Sequence, residues 1–324
     1  MPRFIVYGAG AIGGVIGARL FESGRDVALI ARGAHRDAIA RDGLRIDSPS
    51  GTAIHRIHVV ADPAELAPID DDIVLVTVKS QDTVTVLDRL AAVGGPGLAV
   101  ACVQNGVANE RAALRRFART YGVCVMLPAT HLVPGVVVAH SAPLGGSLDV
   151  GRYPGAVDDT AELIAAAFRE AGFASQARPD ISRWKYAKLL RNVNNSTRAL
   201  LGPPPAGQGV VRQAHAEAVA ALSAAGIDYV RDEEFDAYHR GVVNIRGDTR
   251  MLGSSWQSLA RGRSEIETDY LNGEIVLEGR LHGVPTPVNE VLAVMATEAA
   301  REGIEAGSLT EEQVLARLDA AVRG

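Results

Sequence analysis

Cysteine is scarce: the 324 residues contain two, Cys102 and Cys124. Both lie within apolar, strand-like runs, Leu98 to Val103 and Tyr121 to Leu127, and no C-x-x-C pair occurs. They read as core thiols, which argues against a disulfide framework, a redox dithiol or a thiolate metal site, and no metal is expected. An excess of basic residues is also missing. Lys plus Arg number 33 against 38 Asp plus Glu, a net charge of −5, so the broad electropositive footprint of a nucleic-acid binder is absent. No apolar run reaches the roughly 18 residues of a membrane span, and no membrane partner is expected. The first apolar stretch is broken by Gly8, Gly10, Gly13 and Gly14 and has no small-residue cleavage site, so it does not read as a secretory signal. Free thiols behind such a start fit a reducing cytoplasm. What remains is ordinary globular composition, 47% hydrophobic and 22% charged, in a chain long enough for two domains.

From the start to about Val150, short β-branched runs alternate with helix-like stretches, the rhythm of parallel βαβ units. Candidate strands are Phe4 to Tyr7, Val27 to Ala31, Ile57 to Val60, Ile73 to Val78, Leu98 to Val103 and Gly122 to Met126. Several are apolar without alternation, as strands buried on both faces should be. Gly135 to His140 and Ser147 to Val150 read as an antiparallel pair extending the sheet. After about Pro179 the pattern turns helical, over Ile181 to Leu201, Gln208 to Ala225, Asp232 to Val242, Ser264 to His282 and Pro287 to Glu302. Gly202 and the prolines that follow end the first of these. The expected fold is therefore α/β: a Rossmann-type, mostly parallel sheet over residues 1–179, followed by an all-helical domain over 180–324.

Gly8-Ala9-Gly10-Ala11-Ile12-Gly13 follows the first strand directly and opens a helix, the context in which G-x-G-x-x-G binds a dinucleotide. Gly8 permits the tight turn, Gly10 lets the backbone approach a pyrophosphate, Gly13 allows close helix packing, and the helix N-terminus with Ala11 and Ile12 attracts the anion. FAD and S-adenosylmethionine sites share such loops, and a turn that binds nothing is the bland alternative. The second strand ends in Ile30-Ala31-Arg32-Gly33, with arginine where an acidic residue would hold ribose hydroxyls. Arginine suits a 2′-phosphate and favours NADPH over NADH, against the reading of Arg32 as a solvated strand end.

Within Ile181 to Leu201, Lys188, Asn192 and Asn195 are spaced by four and then three residues. At about 100° per residue they fall within roughly 60° of one another on a single helix. A lysine with two carboxamides on one face offers a proton donor and neutral hydrogen-bonding groups to a carbonyl substrate. Equally, Lys188 can snorkel at a surface and the asparagines can bond backbone. Short-chain dehydrogenase chemistry needs Tyr-x-x-x-Lys, and Tyr186 is followed by Leu190 at that offset.

With these residues in view, the chain resembles the ketopantoate reductase (2-dehydropantoate 2-reductase) family over nearly its full length. The resemblance rests on Gly8-Ala9-Gly10-Ala11-Ile12-Gly13, Arg32, Val78-Lys79-Ser80 and Gln104-Asn105-Gly106, then on Lys188-Leu189-Leu190-x-Asn192, Ser254-Ser255 and Glu267-x-Asp269-Tyr270-Leu271-Asn272-Gly273. It implies a Rossmann domain paired with a helical domain and reduction of a 2-keto acid by NADPH. It further implies Lys79 and Asn105 near nicotinamide and substrate, Lys188 as proton donor with Asn192 as companion, and Ser255 on the substrate carboxylate. Glu267 would hold a substrate hydroxyl or orient Lys188, while Asp269 and Asn272 would be structural. Without the resemblance, Lys79 reads as a loop charge, Asn105 as a turn former, and Ser255 as a helix N-cap.

The match departs from the family in one stretch. Family members commonly carry a second asparagine eight residues after the lysine, followed by proline; here Ser196 and Thr197 stand there and Asn195 precedes them. On one continuous helix that turns the carboxamide by about 100° and reshapes a substrate pocket. Trp256 stands where the family often has methionine, either narrowing the pocket or filling the core. Two other readings compete: a β-hydroxyacid dehydrogenase, against which the Glu267 to Gly273 signature argues, and a non-catalytic NADP-binding regulatory protein. A homodimer is expected from the resemblance and from the prevalence of twofold oligomers.

Overall fold

A computed structural model describes residues 2–203, 206–245, 253–262 and 264–323. The strands are β1 (Phe4–Tyr7), β2 (Val27–Ile30), β3 (Leu44–Ser48), β4 (Gly51–His55), β5 (His58–Val60), β6 (Ile73–Val76), β7 (Ala99–Cys102), β8 (Arg119–Met126), β9 (Ala129–Thr130), β10 (Val136–Ala139) and β11 (Ser147–Arg152). The helices are α1 (Ala11–Glu22), α2 (Gly33–Asp42), α3 (Thr83–Val93), α4 (Asn109–Leu114), α5 (Asp159–Glu170), α6 (Ile181–Asn192), α7 (Asn194–Leu201), α8 (Gln208–Ala224), α9 (Asp232–His239), α10 (Gly253–Ala260), α11 (Asn272–His282), α12 (Pro287–Glu302) and α13 (Glu311–Arg323). The chain divides into two compact units, Met1–Lys185 with Arg231–Thr249, and Tyr186–Val230 with Arg250–Gly324.

The first unit is built on a seven-stranded sheet of order β11-β8-β7-β6-β1-β2-β5. Neighbours are parallel except β11, which runs antiparallel to β8. Strands covered on both faces need apolar side chains in both directions, which is why β1, β2, β6 and β7 show no alternation. Phe4 and Val6 pack with Val15 and Ile16 of α1 and Phe168 of α5, while Ile5 and Tyr7 pack with Leu87 and Leu90 of α3. Cys102 and Cys124 are free and buried in this sheet, and burial pushes the Cys102 thiol well above its ordinary value.

The expected pairing of 135–140 with 147–150 is corrected. β10 belongs to a second, four-stranded sheet of order β4-β3-β10-β9, parallel to β3 and antiparallel to β9. β11 instead lines the outer edge of β8 in register from Ser147 opposite Met126 to Arg152 opposite Tyr121. Packing decides the matter. Val137 faces α1 so closely that a Cβ on Gly14 would lie 2.6 Å from it, which holds β10 over the first helix. The β3–β4 hairpin was not anticipated, although Pro49-Ser50-Gly51 between alternating runs is a turn signal.

Helix α9 joins the first unit through its side chains. The Arg178 guanidinium lies 3.7 Å from the Trp184 ring centre and 4.6 Å from that of Tyr238 on α9. Buried Asp149 of β11 accepts from Arg178 Nε at 2.7 Å and from the Tyr238 hydroxyl at 2.7 Å. Burial, reinforced by that hydrogen bond to Asp149, pushes the Tyr238 phenol well above its ordinary value.

The second unit is helical, with a core of Leu200, Val210, Leu259, Leu292, Ala296 and Val314 among others. The single helix expected over 181–201 is interrupted at Val193, between α6 and α7. The cause lies far away in sequence: Asn272 Nδ2 donates to the Val193 carbonyl at 3.0 Å, a side chain inserted into the helical ladder. The helix expected over 264–282 likewise divides, into a 3-10 turn at Glu267–Tyr270 and α11, with the non-helical Leu271 (φ −119, ψ −84) between them. This turn brings both Thr268 Oγ1 (2.8 Å) and Asn272 Oδ1 (2.6 Å) to the Ser196 hydroxyl. Asn272 Nδ2 also reaches Asn289 Oδ1, and Asn289 Nδ2 continues to the Glu217 carboxylate. Helices α10 and α13 were not anticipated. Of the prolines after Gly202, Pro204 and Pro205 lie outside the described residues.

Candidate active site

The loop between β1 and α1 owes its shape to steric necessity. Gly8 sits at φ +111, where a Cβ would lie 2.8 Å from the Val78 amide nitrogen, so the left-handed turn and the close approach both require glycine. A Cβ on Gly13 would lie 2.3 Å from the Gly8 carbonyl oxygen and 2.4 Å from Thr77 Oγ1, so the first turn of α1 can pack here only without a side chain. The Thr77 hydroxyl donates to that same carbonyl at 2.8 Å. Around the Cβ position of Gly10, by contrast, nothing lies within 4 Å. Helix α1 has no side-chain cap on its N-terminal amides and no acidic residue in its first turn. An uncapped helix start with an open glycine flank fits the pyrophosphate of a dinucleotide, with Gly8, Gly10, Ala11, Ile12 and Gly13 as the cradle.

Arg32 lies just past β2 at the N-cap of α2, its side chain 86% exposed and paired with Asp82 at 3.0 Å. An exposed guanidinium with a single carboxylate partner can turn towards a 2′-phosphate. Lys79 and Asn105 stand after β6 and β7, at the carboxyl ends of adjacent parallel strands. A buried network ties their two loops together. Gln104 Nε2 donates to Thr83 Oγ1 (2.7 Å), and Thr83 donates to Asn109 Oδ1 (2.8 Å). Asn109 Nδ2 reaches both Ser80 Oγ (3.2 Å) and the Asn105 carbonyl (3.1 Å). The Asn105 side-chain oxygen is itself buried and has no hydrogen-bond partner. Ser80 and Gln104 stand in the motifs quoted from sequence but were given no role there, and Thr83 and Asn109 were not singled out; polar residues following both strand ends were the available signal.

In the second unit, half-buried Lys188 and buried Asn192 lie one turn apart on α6, and Asn192 Nδ2 has no hydrogen-bond partner. The break at Val193 sets Asn195 on α7, so the three-residue stripe does not lie on a continuous helix. Asn195 is brought instead to the start of α10, where a Cβ on Gly253 (φ +85) would lie 3.0 Å from its Oδ1. Ser255 lies inside α10, not at its N-cap, and the buried hydroxyls of Ser254 and Ser255 have no partner. Glu267 opens the 3-10 turn and is buried. Ser196 is fully buried in the Asn272 network, and Trp256 packs against the core, which favours its core reading. Among the described residues no helix is long and apolar enough to cross a membrane, and no cluster of His, Cys, Asp and Glu could hold a metal.

Known proteins resemble the chain over nearly its whole length. The profile of the family described as ketopantoate reductase PanE/ApbA matches residues 4–155, and that of its C-terminal part matches residues 180–300. The 2-dehydropantoate 2-reductase of Archaeoglobus fulgidus is 31% identical over 312 residues, 95% of this chain and 99% of that protein. The Halobacterium salinarum protein of the same name is 31% identical, over 93% of this chain and 100% of its own. Among solved structures, a PanE/ApbA family ketopantoate reductase from Ralstonia eutropha JMP134 superposes with TM-score 0.78 at 26% identity, covering 93% of this chain and 99% of that one. A D-mandelate dehydrogenase solved with NADH and anilino(oxo)acetate shares the fold at TM-score 0.78 and 21% identity, over 93% of this chain and 98% of that one. With both of its profiles matched and relatives covered end to end, the chain belongs to the ketopantoate reductase family and is an oxidoreductase of the CH–OH class.

Proposed function

We propose that the chain reduces 2-dehydropantoate (ketopantoate), or a related small 2-keto acid, to the 2-hydroxy acid with NADPH, and that Lys188 is the proton donor. The observation that carries this reading is that Asn192 Nδ2, Ser254 Oγ and Ser255 Oγ in the second unit and, separately, Asn105 Oδ1 in the first are buried polar atoms without hydrogen-bond partners. Such atoms also occur at Gln81, Gln104, Ser147, Asn194 and Thr197, among others, but each costs stability, and a ligand bound at Asn192, Ser254 and Ser255 would satisfy theirs. A 2-keto acid offers a carbonyl and a carboxylate to the donors Asn192, Ser254 and Ser255, and a substrate hydroxyl or a carboxamide N–H can donate to Asn105.

When bound, the dinucleotide supplies hydride to the carbonyl carbon. Gly8, Gly10, Ala11, Ile12 and Gly13 hold its pyrophosphate, Arg32 its 2′-phosphate, and Lys79 and Asn105 its nicotinamide side. Lys188 Nζ gives a proton to the carbonyl oxygen and stabilises the forming alkoxide. Glu267 orients Lys188 or holds a substrate hydroxyl. With Ser196 bonded to Thr268 and Asn272, Asn195 rather than Ser196 is the α7 residue assigned to the substrate. The reading takes the enzyme as a cytoplasmic homodimer, on the resemblance and on thiols that fit a reducing compartment.

The test is NADPH oxidation with ketopantoate, pyruvate, 2-ketoisovalerate and bulkier 2-keto acids at matched concentration. Selective turnover of one small 2-keto acid is expected. Tight NADPH binding without turnover of any would overturn the reading in favour of a binding protein.

A further inference from the structure

A buried ion pair remains outside the roles assigned above. Lys185 on α6 and Glu110 on α4 form a salt bridge with side chains 5% and 1% exposed. Exchanging such a pair for apolar residues is often neutral or stabilising, so stability alone is a weak reason for its presence. The surroundings are shaped to keep it: Gly122 interrupts the β-branched strand β8, and a Cβ there would lie 3.3 Å from Glu110 Oε1 and 3.4 Å from Lys185 Cδ. Lys185 Nζ makes a further bond, donating to the Gln104 carbonyl at 3.1 Å.

That bond falls directly before Asn105. The carbonyl of Gln104 belongs to the peptide on the N-terminal side of Asn105, and the carbonyl of Asn105 to the peptide on its C-terminal side. Lys185 holds the first, and Asn109 Nδ2 holds the second at 3.1 Å. Fixing both peptide planes fixes φ and ψ of the residue between them, and with them the direction of its Cβ. Gly106 follows at φ +79, so the turn itself offers no helix or strand bonding to do this job.

We propose that Lys185 and Glu110 are positioning residues whose task is to aim the Asn105 carboxamide. Glu110 holds the Lys185 side chain in place in a buried site, and Lys185 locks the Gln104 peptide. The proposal rests on the functional reading only in taking Asn105 to serve the reaction; the locking of the loop stands apart from it.

The test uses the full chain carrying Lys185→Met with Glu110→Leu, which removes both charges together, and Lys185→Arg, which keeps the charge and displaces the donor. Hydrogen exchange of the Gln104 to Gly106 amides is read first. The expected result is exchange faster by roughly tenfold, the order for losing one charge-assisted hydrogen bond, with the melting temperature of the whole protein little changed. The double variant should also lose as much kcat/KM as Asn105→Ala, and adding Asn105→Ala to it should cost little more, because both changes remove one aimed carboxamide. Unchanged exchange, or a full additional loss from Asn105→Ala, would overturn the proposal. Should the double variant not fold, Lys185→Arg carries the same two readouts, with a smaller loss expected in each. Should the wild-type protein reduce no keto acid, the functional reading falls and the exchange result alone decides the inference.

Discussion

Two alanine substitutions in one loop separate what the fold needs from what the ligand needs. At Gly13 the new Cβ would stand 2.3 Å from the Gly8 carbonyl oxygen, a backbone atom. Retreat to even 3.0 Å requires a shift of about 0.7 Å between α1 and the β1 loop, an overpacking that costs about 1–3 kcal/mol. At Gly10 the new Cβ meets nothing within 4 Å, and its φ of −69 suits alanine. The stability cost is then limited to exchanging glycine for alanine at an N-cap, under about 1 kcal/mol. A pyrophosphate lying on the open flank would meet that methyl group. Gly13→Ala should therefore lower both the melting temperature and NADPH affinity, whereas Gly10→Ala should keep the melting temperature within a few degrees and weaken NADPH by about tenfold or more. Thermal denaturation paired with a fluorescence titration of NADPH measures both. Wild-type NADPH affinity in Gly10→Ala would refute the pyrophosphate assignment.

Other consequences are equally direct. Arg32→Ala should weaken NADPH by about 10- to 100-fold, the worth of one charge-assisted contact, while leaving NADH nearly unchanged; equal losses for the two cofactors would remove Arg32 from 2′-phosphate recognition. Asn272→Ala strips partners from the Val193 carbonyl, Ser196 and Asn289, so a loss of about 2–4 kcal/mol is expected in denaturant melts. Histidine protonation gives a pH signature. His35 Nδ1 accepts from the Gly135 amide at 2.9 Å and Nε2 donates to the Ala9 carbonyl at 2.6 Å, an arrangement only the neutral ring can make. Burial first, and the neighbouring His131 second, lower its pKa, and burial lowers that of His140. The unfolded chain takes up these protons near pH 6.5 and the folded protein only below it. Stability should thus be complete above about pH 6.5, fall as pH drops through the lowered folded values, and level off beneath them. Melting temperatures across that range check this, and His35→Asn should flatten part of the slope.

The parts of the fold that were legible in the sequence are those whose causes are local. The β1 strand, its glycine loop and α1 are consecutive, so the motif is read from neighbouring residues, even though Gly8 and Gly13 pack against Thr77 and Val78 beyond β6. The strands β6 and β7 show themselves through unbroken apolar runs. What escaped detection depends on distant partners. β10 finds its place beside β3, some ninety residues earlier, because Val137 fits over Gly14. The break at Val193 exists because Asn272 reaches its carbonyl, and no pattern within 181–201 encodes that contact. Beyond that break Asn195 stands on α7, and Ser196 is a network residue. For Lys185 there was a signal, a lysine four residues after buried Ile181 and adjacent to buried Trp184 on an otherwise apolar flank; its partner Glu110 becomes apparent only in the fold.

The central claim is that this member of the ketopantoate reductase family transfers hydride from NADPH to a small 2-keto acid with Lys188 supplying the proton. The most direct measurement is NADPH oxidation, followed at its absorbance band, by wild-type protein and Lys188→Ala with ketopantoate as substrate, alongside NADPH binding by both. The account predicts turnover by the wild type, a loss of about 100-fold or more in kcat for Lys188→Ala, as expected for removing a general acid, and equal NADPH affinity for the two. Undiminished turnover by Lys188→Ala would contradict it.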